Sequence, residues 1–583
     1  MQPKEDVSEI FQFSHPKFVY SNIIVQMLKI HTVLSQEELV EQVKSHKEYY
    51  NNTQNVEGRR IDPNLASNDV EMLGQLGYKQ ELKRHFSTFQ CFGVAFSIMG
   101  LLPSIASIFS QGIVAGPAGF LWGWVISSLL ILTIGVAMSI SGSSISTSGG
   151  LYYWTNYYAP PRVKTVLSYL IGNTNSIALV GSFCSVVYGF AIQVYAIVVI
   201  ARDGDFEVTQ AKLYGVFVAC VIAEVAVTCL SSKNCAHLQT VSVVCNVFII
   251  IVYILAMLVG SRGKFKPASY VFGEFENLSD WPIGWTQISA AWLPAIWTIG
   301  AFDSVIHQSE EVHNAGRVIP IGILGSISAC GILGTIIIIV TLFCIQTDDI
   351  EGHILGSKFG QPMAQIIYDV LGKKWALFFM TFMLICQFLM GSSILTAISR
   401  QIWAFSRDNG LPFSFWIKRV NKNLSTPINA VIFGGICSVI MGLLVLIGTV
   451  AANALFSLYI AGNYLAWSTP TLLRLTSGRN LFVPGKFYLG KVFSPLIEWI
   501  SVIFGFYTIV MVMLPASSHV DKDTMNYTCV ITPAVIILSY IYYMLYLRKH
   551  YHGPCKTIDV EDECEILDGI EHQHIDAELS EKS

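Results

Sequence analysis

The sequence predicts an all-α integral membrane protein with twelve transmembrane helices. The chain has 583 residues, of which 53% are hydrophobic and only 13% are charged, whereas roughly 25% of the residues in a soluble domain are charged. The charges concentrate near the two ends of the chain, and long apolar runs fill the sequence between them. This composition therefore argues against a water-soluble enzyme. The net charge of −4 and the absence of a dense basic cluster argue against nucleic-acid binding.

Twelve apolar runs are long enough to cross a bilayer as helices. A perpendicular helix needs about 20 mostly apolar residues to span a hydrocarbon core about 30 Å thick. The predicted spans are residues 89–111, 117–141, 166–200, 212–231, 238–260, 285–306, 319–345, 375–404, 428–448, 452–473, 493–515 and 526–547. The segment 350–372, between spans seven and eight, is polar enough to form an extramembrane helix instead.

The spans divide the chain into three predicted parts. These are an N-terminal tail (1–86), a twelve-helix domain (87–547) and an acidic C-terminal tail (548–583). Lysine and arginine are more frequent in the loops that share a side with the termini, which predicts that both tails are cytoplasmic. The 13 cysteines lack paired spacing, so the sequence predicts neither a disulfide framework nor a metal site. No cofactor-binding motif is expected either.

Span one contains the signature of a helix that breaks within the membrane. Gly100 and Pro103 lie three residues apart near mid-span, between the hydroxyl-bearing Ser97 and Ser104. Backbone groups left unpaired in lipid cost several kcal/mol each, so a broken helix persists only where it lines a cavity. We therefore expect span one to open at Gly100 and to line a binding site.

Span six carries a matching signature. Pro294, Gly300 and Asp303 lie within one half of the membrane depth. Because the spans are five apart, they occupy equivalent positions in two five-helix repeats, and paired interruptions of this kind point to a transporter binding site. A half-helix N-terminus would offer unpaired N–H groups to an anion such as a carboxylate. The predicted substrate-binding residues are Ser97, Met99, Gly100, Leu101, Pro103, Ser104, Thr298, Gly300, Ala301, Phe302 and Asp303.

Three ionisable groups are predicted to lie well inside the spans, where an unpaired charge costs at least ~2.5 kcal/mol. Asp303 could pair with a substrate cation, hold the unwound backbone, carry a coupling proton or cap the second half-helix. For Glu224 a structural pairing is expected, and Arg400 is expected either to reach toward the cytoplasmic interface or to hold a loop in place. His307, near the end of span six, could titrate near neutral pH.

Several motifs give the sequence a family resemblance. They lie at residues 96–107, 148–154, 302–304, 308–311, 399–412 and 524–527. With these motifs the chain resembles the amino acid–polyamine–organocation superfamily and, within it, the fungal amino acid/choline transporter group. The segments 76–84 and 463–470 are similar to those of fungal γ-aminobutyric acid permeases.

The resemblance implies a LeuT-like fold, with a five-plus-five inverted repeat, two further C-terminal helices and a midplane site between spans one and six. It also implies secondary active transport of a small amino acid or amine by alternating access, with γ-aminobutyric acid as the first expectation. Coupling to protons is expected. The expected location of the protein is the plasma membrane or the vacuolar membrane. A choline, polyamine or other amino acid permease is the alternative, as is a transporter-like nutrient receptor.

The chain departs from the family pattern at a position that bears on coupling. Proton-coupled relatives often carry a lysine in span five, and the best matching position here is Asn246. A neutral amide cannot carry that proton. The candidates for proton coupling are therefore Asp303, Glu224 and His307.

Overall fold

A computed structural model describes residues 69–421, 423–515, 517–521, 525–555 and 557. Within these ranges the regular structure is helical, with only two isolated β-bridges, so the predicted all-α class is confirmed. In chain order the helices are α1 (Asp69–Gln75), α2 (Thr88–Met99), α3 (Leu101–Ile113), α4 (Gly116–Ser144), α5 (Gly150–Tyr158), α6 (Lys164–Ala201), α7 (Gln210–Thr228), α8 (Ser232–Gly260), α9 (Ala268–Gly273), α10 (Ile283–Ile288), α11 (Leu293–Thr298), α12 (Ser304–His307), α13 (Ala315–Cys344), α14 (Pro362–Leu371), α15 (Lys373–Arg407), α16 (Ser414–Ile417), α17 (Ile428–Met441), α18 (Leu444–Ile447), α19 (Thr449–Leu475), α20 (Gly490–Val512) and α21 (Thr528–Leu545).

Ten helical segments in the described part of the chain are long and apolar enough to cross a membrane. They coincide with ten of the twelve predicted spans. The other two predicted spans, 285–306 and 452–473, correspond to the interrupted segment α10–α12 and to the 27-residue helix α19. The polar segment 350–372 forms a short π-helix (Ile350–Leu355) followed by α14.

Span one is interrupted at Gly100, as the sequence predicted. A capping box at Ser87 starts α2, and Gly100 ends it with left-handed backbone angles of φ 40° and ψ 59°. Glycine adopts this conformation without a steric penalty because it has no Cβ. Close packing also requires glycine here, since a Cβ would lie 2.7 Å from Sδ of Met390. The chain then re-enters helix as α3.

Span six is broken more extensively. Five non-helical residues, 299–303, separate α11 from α12, and Ala301 has a positive φ of 52°. The two interrupted spans lie side by side, because α11 packs against α3 and α12 packs against α2. The predicted breaks in spans one and six are therefore confirmed, and they lie in spans that pack against each other.

The remaining long helices enclose this pair. Helix α4 packs along α13, and α6 packs along both α15 and α19. Small residues allow the close approach: a Cβ on Gly334 of α13 would lie 2.1 Å from the Trp124 ring, and one on Gly172 of α6 would lie 2.6 Å from the Phe405 ring. Glycine contacts of this kind are typical of helix packing in membranes, where the hydrophobic effect does not drive helices together.

Parts of both predicted tails pack against the bundle. In the N-terminal tail, α1 and the segment that follows it contain the buried Leu73, Tyr78 and Leu82. In the C-terminal tail, Tyr551 is fully buried. The rest of the predicted tails, 1–68 and 558–583, lies outside the described residues.

Candidate functional site at the two helix breaks

The predicted residues of span one are buried around the Gly100 break. Ser97, Met99, Leu101 and Ser104 are each 0% exposed, and Pro103 is also buried. The Ser104 hydroxyl donates a hydrogen bond to the Met99 carbonyl oxygen at 2.7 Å and lies 3.6 Å from Sδ of Met390. The hydroxyl therefore bridges the two halves of the broken span.

The α3 side of this break is a helix N-terminus without a capping side chain. The first N–H groups of a helix have no intrahelical partner, so Leu101 and Leu102 present theirs toward the break, whereas Pro103 has none to present. The positive end of the helix dipole lies at the same point. The break can therefore accept an anionic group such as a carboxylate.

The predicted residues of span six lie at its own break. Thr298 ends α11, and Ala301 and Phe302 are buried in the non-helical stretch. Gly300 contacts Tyr459 of α19 so closely that a Cβ would lie 1.8 Å from the tyrosine hydroxyl oxygen. Phe302 packs on Trp467, with ring centroids 4.5 Å apart.

Asp303 lies at the centre of a buried polar cluster. Its Oδ2 accepts a hydrogen bond from Nδ2 of Asn175 at 2.9 Å and lies 3.5 Å from Nε2 of His307. The same Asn175 amide also donates to Oδ1 of Asn463 at 3.1 Å. The Asp303 side chain makes no capping bond to α12, so the capping role considered for it is not observed. Two of the three coupling candidates, Asp303 and His307, are in direct contact.

Buried polar atoms that make no hydrogen bond are frequent around the breaks in the described chain. Among the described residues, those near the breaks are Ser97 Oγ, Thr298 Oγ1, Asp303 Oδ1, Ser304 Oγ, His307 Nε2, Gln308 Oε1 and Nε2, Asn175 Oδ1 and Asn463 Nδ2. A buried polar group without a hydrogen bond costs about 1–3 kcal/mol. Such a concentration indicates a place where water, an ion or a polar solute completes the hydrogen bonding.

Glu224 occupies a different position. Its side chain, on α7, lies against α15, where a Cβ on Gly391 would be 2.1 Å from Oε1. The neighbouring Met390 is the residue that contacts Gly100. Glu224 is 1% exposed and has no Lys or Arg nitrogen within 4 Å in the part of the chain that the structure describes. Glu224 is instead hydrogen-bonded to the thiol of Cys220, one turn earlier on α7, so the structural pairing expected for Glu224 is observed and is not an ion pair.

Two buried ion pairs at the end of span six were missed from the sequence. Glu310 binds Arg407 through both carboxylate oxygens at 3.0 and 3.1 Å, and Glu311 binds Nε of Arg400 at 2.7 Å. Arg400 is 0% exposed, so it does not reach toward the interface. Its ion pair with Glu311 instead holds the segment that follows span six, which is the alternative predicted for Arg400. The acidic pair in the 308–311 motif was the available signal, but the sequence does not show which cations it meets.

A third buried ion pair was not predicted from the sequence either. Arg474 of α19 contacts Glu498 of α20, and both side chains are nearly inaccessible. The count of three ionisable groups inside the spans was therefore too low. Each of these charges has a partner on another helix, which is the usual condition for a buried charge in a membrane protein.

Segments of the two predicted tails meet at Asp408, on the side of the membrane that is predicted to be cytoplasmic. Its carboxylate accepts hydrogen bonds from the hydroxyls of Tyr78 at 2.9 Å and Tyr152 at 2.7 Å, and from the backbone N–H of Cys555 at 3.0 Å. Burial raises the pKa of Asp408, whereas Arg407 and these hydrogen bonds lower it. Asp408 thus joins segments from the two ends of the chain.

We expect Asp408→Asn to lower the thermal stability of the purified protein. An amide has one acceptor oxygen where the carboxylate has two, and its NH2 group would face donors. Leaving buried donors unpaired costs about 1–3 kcal/mol. The measurement is the melting temperature in detergent, with Tyr78→Phe as the control that removes a single donor and lowers it less. An unchanged melting temperature for Asp408→Asn would contradict this role.

One cavity in the described part of the chain lies away from these groups. It has a volume of about 360 Å³ and lies beside the C-terminal end of α6, among residues that include Asp203, His353, Lys358 and Gln365. None of the predicted site residues lines it. The helix breaks and their buried polar groups therefore form the candidate site.

Long apolar helices, two adjacent interrupted spans and a buried polar cluster beside them define a multi-pass membrane transporter. The comparison with known proteins agrees. The amino acid permease family model matches residues 86–536, and the chain belongs to this family. It is thus an amino acid transporter rather than an enzyme.

Individual relatives cover most of the chain. The GABA-specific permease of Saccharomyces cerevisiae is 52% identical over 511 residues, 87% of this chain and 89% of that protein. An uncharacterized amino-acid permease of Schizosaccharomyces pombe is 32% identical over 89% of this chain and 95% of its own. A putative polyamine transporter of Candida albicans is 28% identical over 85% of this chain and 91% of its own.

Proposed function

We propose that this chain is a secondary active transporter of γ-aminobutyric acid, working by alternating access. The observation that carries the proposal is the pair of breaks at Gly100 and 299–303, lined by unpaired buried polar atoms. The 52% identity to a GABA-specific permease supports this substrate over choline or a polyamine.

The proposed architecture is a twelve-span domain, 87–547, between cytoplasmic tails 1–86 and 548–583. Spans one to five and six to ten form an inverted repeat, and two C-terminal helices complete the bundle. The equivalent positions of the two breaks support the repeat, since each lies in the first span of its half. The plasma and vacuolar membranes are the two proposed locations.

The substrate is proposed to lie between the breaks, with its two charges at opposite ends. The carboxylate binds at the N-terminus of α3, to the N–H groups of Leu101 and Leu102. Ser104 would contribute its hydroxyl there by releasing the Met99 carbonyl oxygen. The ammonium group faces Thr298 and Asp303, whose Oγ1 and Oδ1 have no protein partner in the described chain.

Protons are the proposed energy source. Asp303 and His307 are titratable, adjacent and buried in the broken span, which supports a coupling role. Glu224 is the remaining candidate, but it lies on α7 against α15.

Transport by the purified protein in liposomes tests the proposal. We expect radiolabelled γ-aminobutyric acid to accumulate when the exterior is acidic. Excess unlabelled γ-aminobutyric acid should compete with it, whereas choline and putrescine should not. Uptake equal to that of protein-free liposomes for every solute in this panel would refute the transporter assignment. Preferential uptake of choline or putrescine would refute the assignment of γ-aminobutyric acid as the substrate.

A further inference from the structure

The tautomer of His307 is fixed by its surroundings. Its Nδ1 lies 3.0 Å from the backbone carbonyl oxygen of Ser148, in the loop between α4 and α5. A carbonyl oxygen only accepts hydrogen bonds, so Nδ1 must carry a hydrogen. Nε2 is therefore the only ring nitrogen that can gain or lose a proton.

That nitrogen faces a carboxylate oxygen. Nε2 of His307 lies 3.5 Å from Oδ2 of Asp303, and both side chains are 0% exposed. Without a proton between them, a nitrogen lone pair and a negatively charged oxygen face each other in a low-dielectric environment. One proton changes this repulsion into an attraction and makes the pair neutral.

The neighbouring helices do not neutralise Asp303 in another way. From α19, Tyr459 is the titratable group that faces it. From α15, Arg400 and Arg407 are already paired with Glu311 and Glu310.

On the remaining sides, Cys91 of α2 faces Glu311, and α6 contributes the neutral Asn175. No Lys or Arg nitrogen lies within 4 Å of the Asp303 carboxylate in the ranges described. Until the substrate ammonium group arrives, a proton can balance this buried charge.

We propose that Asp303 and His307 together form a single proton-binding site, and that one proton moves with each substrate molecule. The proton is held between Nε2 and Oδ2, while Oδ1 remains available for the substrate ammonium group. Transport forms and breaks no covalent bond to the substrate. The proton enters the site from one side of the membrane and leaves it on the other. The inference rests on the proposed transport function and assigns its coupling site.

Asn175 is assigned as a positioning residue. Its amide donates to the Asp303 oxygen that faces His307 and to Asn463, so it orients the carboxylate for the shared proton. Substitution of Asn175 by Asp would add a negative charge at this point, and we expect the pH optimum of uptake to move to a higher value. Asn175→Ala should leave the optimum nearer that of the wild type.

The central experiment compares His307→Gln with the wild type in liposomes. Glutamine can still donate to the Ser148 carbonyl but does not titrate. We expect His307→Gln to exchange labelled for unlabelled γ-aminobutyric acid, while losing the stimulation of uptake by a pH gradient. The matched control is His353→Gln, which removes a histidine paired with Asp369 outside the break and should retain the stimulation.

The outcomes separate the two proposals. If the wild type neither takes up nor exchanges γ-aminobutyric acid, the proposed function fails. If the wild type is stimulated by the pH gradient and His307→Gln is stimulated equally, the proton site is wrong although the transport function stands.

A measurement on the wild type keeps the test decisive if His307→Gln does not fold. The reversal potential of γ-aminobutyric acid flux gives the number of protons moved per substrate. A value of one supports the shared site, and any other value overturns it.

Discussion

Gly300→Ala is expected to reduce γ-aminobutyric acid uptake by about tenfold or more, since overpacking costs about 1–3 kcal/mol and ~1.4 kcal/mol corresponds to a factor of ten. The added methyl would lie 1.8 Å from the Tyr459 hydroxyl oxygen. Either the tyrosine or the non-helical stretch 299–303 must then move. Both lie beside Asp303, so the proposed ammonium position would be displaced. Initial uptake rates, normalised to protein in the liposomes, provide the measurement.

Two further variants identify the cause of the loss. Tyr459→Phe removes the hydroxyl oxygen and should partly restore uptake in the Gly300→Ala background. Restoration is only partial, because the ring carbon that bears the hydroxyl would still lie 3.0 Å from the new methyl. The matched control is Gly215→Ala on α7, where nothing lies within 4 Å of the added Cβ, and uptake should be unchanged. Full activity of Gly300→Ala would contradict close packing at the break.

Arg400→Met is expected to cause the largest loss of folding stability. The substitution leaves Glu311 buried without a cation, and breaking a buried ion pair on one side costs about 3–5 kcal/mol. Arg400 also donates hydrogen bonds to the hydroxyls of Ser399 and Ser232, at 2.9 and 3.2 Å. We expect a much lower melting temperature in detergent and a smaller monodisperse fraction on size exclusion.

The double variant Arg400→Met/Glu311→Gln separates the unpaired charge from the other lost contacts. Because it leaves no uncompensated charge, it should recover most of the stability. Lys373→Met is the exposed control, since Lys373 and Asp203 form an ion pair accessible to water, and it should leave the melting temperature nearly unchanged. A double variant as unstable as Arg400→Met would show that packing, and not the unpaired acid, dominates.

The positions of the two breaks were predictable because local chemistry determines them. Gly100 requires a residue without a Cβ, on account of both its positive φ and its contact with Met390. In span six, Pro294 and Gly300 weaken the helix within a few residues of each other. Such effects depend on the identity of one or two neighbouring residues, so the sequence reveals them without knowledge of the fold.

The partners of the buried charges could not be predicted in the same way. Glu311 and Arg400 are 89 positions apart in the chain, and Asp303 and Asn175 are 128 apart. Arg400 illustrates the difficulty, because its place near the end of a span is compatible both with reaching into water and with pairing inside the protein. Its direction depends on where α12 and the residues after it pack.

By itself the sequence determined that the chain is a membrane-embedded helical protein and that spans one and six open, and it made Asp303 and His307 candidates for coupling. Apolar runs and glycine positions carry this information because lipid and backbone sterics act on each segment separately. Only the tertiary structure decided that α11 and α12 pack against the two halves of span one. It also decided that Ser148 fixes the tautomer of His307 and that both acids after α12 are paired. These contacts join distant segments, and their geometry exists only once the helices have packed.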